Sequence, residues 1–210
     1  MVNSSIGYKK AEVVFAVGGT GGVCAAIAAA RNGADVLLIE QYGFLGGLFT
    51  GGNMILSHWG ARQFWGGLNR EIFMRLQDLG GAKFHPDDPP NYPLYHMRHR
   101  VCLSVAYDPE MAKLVLFELA EEAGVRLLLH SYITGAVTED TSIRGVMVEN
   151  KSGRHFIEGT IVCEGTGDGD VAASAGAPYQ KGVGKEQQLF AMTMLVRLSQ
   201  VNWDQVTEYS

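Results

Sequence analysis

Val13-Val14-Phe15-Ala16-Val17 runs into Gly18-Gly19-Thr20-Gly21-Gly22, then Val23-Cys24-Ala25-Ala26-Ile27-Ala28-Ala29-Ala30, Arg31-Asn32-Gly33 and Ala34-Asp35-Val36-Leu37-Leu38-Ile39-Glu40. In order these are an apolar β-branched run, a glycine turn, an alanine-rich helix, a glycine stop and a second apolar run that ends on an acid. That order is the sequence form of a βαβ unit that receives a dinucleotide. Glycines Gly18, Gly19, Gly21 and Gly22, with Thr20 among them, let the backbone turn sharply and come close to a pyrophosphate. The helix N-terminus beside them offers free N–H groups to that charge. Glu40, at the tip of the second strand and followed by Gln41, is placed to accept hydrogen bonds from ribose hydroxyls. A rival reading takes the uncharged run Val13 to Ala30, behind Lys9 and Lys10, as a signal peptide or membrane span. Four glycines in the middle of that run weaken a spanning helix, and the second strand with its acid arrives where a nucleotide fold needs it.

Working outward, the 210 residues suffice for one domain and part of another, and 47% hydrophobic content excludes a disordered chain. The net charge is −5, and no basic block appears, which argues against a nucleic-acid partner. Cys24, Cys102 and Cys163 are odd in number and far apart, so they make no disulfide framework and no C-x-x-C pair. A reducing cytoplasm fits them. No metal site is expected: His96 and His99 lie in a proline-rich stretch without an ordered scaffold.

After Glu40 comes Gln41-Tyr42-Gly43-Phe44-Leu45-Gly46-Gly47-Leu48-Phe49-Thr50-Gly51-Gly52, too apolar and glycine-rich for an ordinary surface connection. It reads as a loop that folds over a cofactor, against the alternative of a buried turn. The spacing of Leu68, Ile72, Leu76 and Leu79 predicts a helix from Gly66 to Gly80. Phe84 to Arg100 is irregular, broken by four prolines. Asp108 as N-cap and Pro109 as first helical residue predict a helix to Gly124. Val125 to His130 is a buried strand. Tyr132–Val137, Ile143–Glu149 and His155–Glu158 form an antiparallel meander, and Thr160 to Glu164 reads as a further buried strand. Gly165-Thr166-Gly167-Asp168 follows, then a short helix over Val171 to Gly176. Phe190 to Leu198 reads as a strand of a new sheet.

One glycine turn does not distinguish NAD from FAD. A second turn at Gly165 to Asp168, with a meander between the two, resembles the FAD-binding domain of the glutathione-reductase type. Ala28 to Gly33, Leu37 to Gly47, Tyr107-Asp108-Pro109-Glu110, Glu121 to His130 and Gly165 to Ala172 are similar to the broad family of bacterial FAD-dependent oxidoreductases related to the flavoprotein subunit of heterodisulfide reductase. The similarity covers roughly residues 11 to 178. It implies a Rossmann-like α/β domain over 1–178, with a parallel sheet, the meander and a substrate-side insertion at 57–106. The start of a second, mixed-sheet substrate domain is implied over 179–210.

The resemblance also implies roles. Gly19 and Gly22 match the second and third fingerprint glycines, and Glu40 matches the ribose acid. Gly46 and Gly47, with Leu48 after them, match the glycine pair beside the pyrophosphate. Ile133 falls where adenine is met by backbone atoms. Thr166, Gly167 and Asp168 match the second turn. Two positions depart: the first fingerprint glycine falls on Val17, and Gly165 stands where alanine is usual. Family members run well beyond this length, so the resemblance implies a chain whose flavin would be poorly covered without a further segment.

No catalytic residue is identified. His58, Trp59 and Trp65 are candidates for the flavin side, with packing at the domain junction as the favoured alternative. The expected activity is flavin-mediated hydride or electron transfer on a small molecule, away from any membrane. Alternatives are an FAD-binding subunit that needs a partner chain for the missing half, an inert fragment, and an NAD(P)-dependent dehydrogenase.

Overall fold

The computed structural model describes residues 10–53, 56–59, 66–84, 103–184, 189, 192–196 and 198–202, with backbone alone at 56–59 and 103–104. The chain divides into two compact units, Met1–Gln180 and Lys181–Ser210.

The first unit is built on a six-stranded sheet. β1 (Lys10–Ala16) leads through the glycine turn to α1 (Thr20–Arg31) and β2 (Val36–Ile39). The uncharged run that might have crossed a membrane is therefore shared between a strand and a helix. Among the described residues no helix is long and apolar enough to cross a membrane. A 3-10 turn at Gly47–Phe49 follows, then β3 (Leu56–Trp59), α2 (Gly67–Asp78), β4 (Ala82–Phe84) and β5 (Leu103–Tyr107). The chain goes on through α3 (Pro109–Glu122), β6 (Arg126–Leu128), β7 (Tyr132–Glu139), β8 (Ser142–Asn150), β9 (Gly153–Glu164) and α4 (Asp170–Ser174). The large sheet has the order β6-β2-β1-β9-β8-β7. β6, β2, β1 and the end of β9 run parallel, and β7, β8 and the start of β9 form the antiparallel meander.

β9 corrects one expectation. His155–Glu158 and Thr160–Glu164 are one strand, not two. It pairs antiparallel with β8 up to Glu158 and parallel with β1 from Glu158 onward. Gly159, which broke the pattern in the sequence, sits against Val14 with room for no side chain: an added Cβ would lie 2.8 Å from Val14 Cγ2. β3, β5 and β4 form a separate antiparallel sheet within 56–107, which the sequence pattern did not reveal.

Apolar residues fill both faces of the parallel layer. Val13, Phe15, Val36 and Leu38 meet α1, α2 and α3 on one side through Val23, Ile27, Leu76, Leu116 and Leu119. Val14, Ala16, Leu37 and Ile39 meet Val146, Val148, Ile157 and Val171 on the other. This alternation is why β2 reads as four consecutive buried residues. Asp108 caps α3 as its type predicts, accepting a hydrogen bond from the Glu110 N–H. Arg31 of α1, Glu71 and Arg75 of α2 and Glu122 of α3 form a surface chain of ion pairs joining the three helices.

In the second unit the described residues lie in no helix or strand. Residues 192–196 and 198 therefore do not form the strand expected over Phe190–Leu198; their side chains are exposed, Met192 fully so.

Candidate functional site

Three turns meet at the C-terminal ends of β1 and β9. The first is Val17 to Gly22. Val17 takes the position of the first fingerprint glycine without being one, and does so in a left-handed conformation, φ 80°. Its N–H donates to Ile39 O at 3.0 Å, so the end of β1 stays tied to β2 while the backbone reverses. The Val17 carbonyl then points at α1: a methyl group at Gly22 would overlap it. Gly22 is thus required by backbone contact within the turn. Gly19 is the N-cap of α1, and no side chain caps that end. The helix start therefore keeps backbone N–H groups for an anion.

Glu40 is 1% exposed and holds this turn from below. Its Oε2 accepts the Gly18 N–H at 2.9 Å and its Oε1 accepts the Tyr42 N–H at 2.9 Å. Burial pushes its carboxyl above the ordinary range, against the pull of those N–H groups. The sequence pattern assigns Glu40 to a ribose. What the structure shows is a buried carboxylate that joins the glycine turn to the start of the next loop. Gln41 follows it on the exposed surface.

The loop after Glu40 lies directly on the glycine turn. Gly46 N–H donates to Gly18 O at 2.8 Å, and Thr20 Oγ1 donates to Gly46 O at 2.9 Å. Thr20 is therefore a latch between the two loops. Gly46 and Gly47 both have positive φ, and a Cβ on Gly47 would lie 3.0 Å from Gly19 Cα. Leu45 is fully buried beneath, whereas Leu48 is 74% exposed. Thr50 Oγ1 donates to Leu45 O at 2.5 Å, closing the loop from inside.

The third turn is Gly165 to Asp168. A Cβ on Gly165 would lie 2.7 Å from Ala16 O and 2.9 Å from Val17 O, and one on Gly19 would lie 3.7 Å from Gly165 O. The two positions that depart from the family pattern, Val17 and Gly165, thus touch. Glu164 organises this turn, and nothing in the motif pointed to it. Its Oε1 accepts the Thr166 N–H at 2.6 Å, and its Oε2 accepts the Val171 and Ala172 N–H groups at 2.8 and 3.0 Å. Burial raises the Glu164 carboxyl, but the Thr166 side chain and these N–H groups outweigh it and hold it below the usual range. Thr166 Oγ1 accepts the Asp170 N–H at 3.0 Å. Gly167 and Gly169 are left-handed on either side of Asp168, whose side chain is exposed.

Ile133 stands apart, on β7 opposite Val148 and beside a bulge at Gly135. It is linked to the rest through Ser131, whose N–H donates to Glu40 O at 3.0 Å. Trp65, His96, His99 and Cys102 lie outside the described residues, as do the side chains of His58 and Trp59. Cys24 and Cys163 are free thiols, partly buried against the core, and burial raises both above the ordinary thiol range. Among the described residues no group of three or more His, Cys, Asp or Glu could hold a metal ion.

Comparison with solved structures gives the same fold at low identity. The chain is similar to THI4 of Thermovibrio ammonificans (TM-score 0.54, 16% identity, 80% of this chain and 62% of that one). It is also similar to a geranylgeranyl bacteriochlorophyll reductase-like protein of Thermoplasma acidophilum (TM-score 0.55, 16% identity, 87% and 44%). L-proline dehydrogenase of P. horikoshii gives a TM-score of 0.50 at 20% identity, over 80% and 56%. At such identities these likenesses show the fold alone, and the chain spans from 44% to 62% of the length of those proteins. No curated protein matches it. The family model described as FAD dependent oxidoreductase matches residues 12–210, nearly the whole sequence, and the chain belongs to that family.

Proposed function

We propose that this chain forms the dinucleotide-holding part of an enzyme that moves a hydride or electron pair between a small molecule and FAD. The observation that carries this reading is the convergence of three turns by backbone approach, Gly47 on Gly19 and Gly19 on Gly165. A lone glycine fingerprint serves NAD as well as FAD. A second turn, ordered by Glu164 and packed on the first through Gly165, is what favours the flavin nucleotide here. The residues present fit that group: Gly18 to Gly22 and Gly46 to Leu48 would border its pyrophosphate, and Glu40 its ribose. The backbone near Ile133 would meet adenine, and Thr166 to Asp168 would lie toward the flavin end. Bound flavin supplies the redox chemistry. The chain's own residues bind and orient it.

The match to only part of each solved structure makes a further segment or partner chain part of this proposal, supplying the cover over the flavin ring. The small sheet of β3, β5 and β4, which spans the insertion expected at 57–106 and overruns it by one residue at each end, belongs to the substrate side in this reading. The free thiols Cys24 and Cys163 suit a reducing cytoplasm.

The test is direct. Purified protein is mixed with FAD, or separately with NADP or NAD, and passed through a desalting column. Flavin absorbance bands that travel with the protein, altered in shape from free FAD, are the expected result. Retention of a nicotinamide nucleotide with no flavin bands would overturn the assignment.

A further inference from the structure

The loop that lies on the glycine turn is held from a third direction. Its carbonyls at Leu45 and Gly46 are occupied by the hydroxyls of Thr50 and Thr20, which belong to the loop and to α1. The carbonyl of Phe49 is occupied by the hydroxyl of Tyr107, at 2.9 Å. Tyr107 closes β5 of the small antiparallel sheet, far away in sequence. Its ring stacks on Phe49 with centroids 4.4 Å apart and planes 24° apart. Phe73 of α2 meets both rings edge-on, at 5.5 Å from Phe49 and 5.7 Å from Tyr107. Tyr107 is 6% exposed. Burial pushes its hydroxyl up to about 12, so it stays a donor at any working pH.

Engaging these three carbonyls has an electrostatic purpose. A loop beside a pyrophosphate helps only if it offers N–H groups, since a free carbonyl oxygen there repels the anion. We propose that Tyr107 is a positioning residue for the cofactor loop: through the Phe49 carbonyl it fixes Gly46–Phe49 against the glycine turn and ties that loop to the small antiparallel sheet. Whatever binds on or rearranges that sheet is then felt at the pyrophosphate. The inference rests on the reading that this loop borders the cofactor.

Tyr107→Phe keeps the ring and removes only the hydroxyl. Two measurements on the whole chain read its effect. Amide hydrogen exchange without nucleotide should be about five- to tenfold faster at Phe49 to Gly51, the scale of one lost hydrogen bond, with β1 and β2 unchanged. FAD affinity, from flavin fluorescence titration, should fall by a similar factor. Phe73→Leu serves as the packing control: it should lower the thermal midpoint while leaving FAD affinity within about twofold, since the hydroxyl stays on Phe49. Unchanged exchange in Tyr107→Phe, or a rise spread evenly over the sheet, overturns the proposal. A wild-type chain that binds FAD with the same affinity as Tyr107→Phe overturns it alone. A wild-type chain that leaves flavin fluorescence unaltered overturns the cofactor reading and this one together.

Discussion

Val17 holds a β-branched side chain in the left-handed region, where an L-residue costs about 1–2 kcal/mol. Glycine would remove that strain and would give back about 0.5–1 kcal/mol through unfolded-chain entropy. Val17→Gly is therefore expected to unfold in urea within about 0.5 kcal/mol of wild type, or to be more stable. Val14→Gly, one turn of strand earlier and fully buried, should cost about 3 kcal/mol. Equal losses at the two positions would show that Val17 carries no strain. The glycine pattern marked Val17 as an anomaly, but only the fold showed that Gly165, as well as Gly22, must make room for its carbonyl.

Two carboxylates at the same site titrate in opposite directions. Glu164 is held below its unfolded value, so its contribution to stability is present above the ordinary carboxylate range and is lost as pH falls through the folded value. Glu40 is raised, so the native state keeps its proton to higher pH than the unfolded chain does. Its contribution therefore diminishes as pH rises from near 4.3 through the folded value. Carboxyl carbon NMR should place Glu40 above and Glu164 below that reference, and the reverse order would refute the burial argument. The place of Glu40 at the end of β2 was legible, but its hydrogen bonds to the Gly18 and Tyr42 N–H groups were not. Glu164 was not legible, because an acid before a turn has no signature until the N–H groups of α4 are seen to converge on it.

Among elements, β9 is the one that the sequence divides and the fold joins. Glycine in a strand usually signals a bulge or an ending, and the two expected runs stop on either side of Gly159. It is instead where β9 exchanges β8 for β1, and both sides of that exchange need glycine. A methyl on Gly145 of β8 would overlap the Ile157 carbonyl, and one on Gly159 would press on Val14. Gly145→Ala and Gly159→Ala should each destabilise by about 1–3 kcal/mol in thermal or urea unfolding. Neutral substitutions would mean that the two strands separate more loosely than described. The helices were legible because caps and periodic apolar residues are local. The small sheet was not, because β4 spans only three residues and the partners of β5 lie far from it in sequence, across the proline-broken run.

At the scale of the molecule, the helices and strands of the described residues all fall within the first unit, while Val183, Leu189, Met192, Met194, Leu195, Val196 and Leu198 present exposed apolar side chains. A chain ended after Gln180 is expected to unfold cooperatively with a midpoint within about 2 °C of the longer one, and to aggregate less. Scanning calorimetry and light scattering would check both, and loss of a cooperative transition would show that the second unit is needed for the first to fold. The fold class was legible because two strand–turn–helix signatures flank a meander. Of the strand expected at Phe190 to Leu198, residues 192–196 and 198 form none: an apolar run specifies a strand only where another pairs with it, and the described residues of the second unit include no such partner.

The pairing of β1 with β9 also sets a timetable. Lys10 to Ala16 finds its neighbour at Glu158 to Glu164, close to the other end of the first unit. At about 5–20 residues per second, that neighbour leaves the ribosome roughly 7–30 s after β1 does. The glycine turn comes early in the message and meets Glu40 and the Gly46 loop soon after, yet its contact with the second turn waits until Gly165 arrives. β2 gains β6 on the way, but β1 waits through the whole interval with one edge unpaired, so changes at the β1–β9 seam bear on how long the nascent chain exposes that edge as well as on final stability.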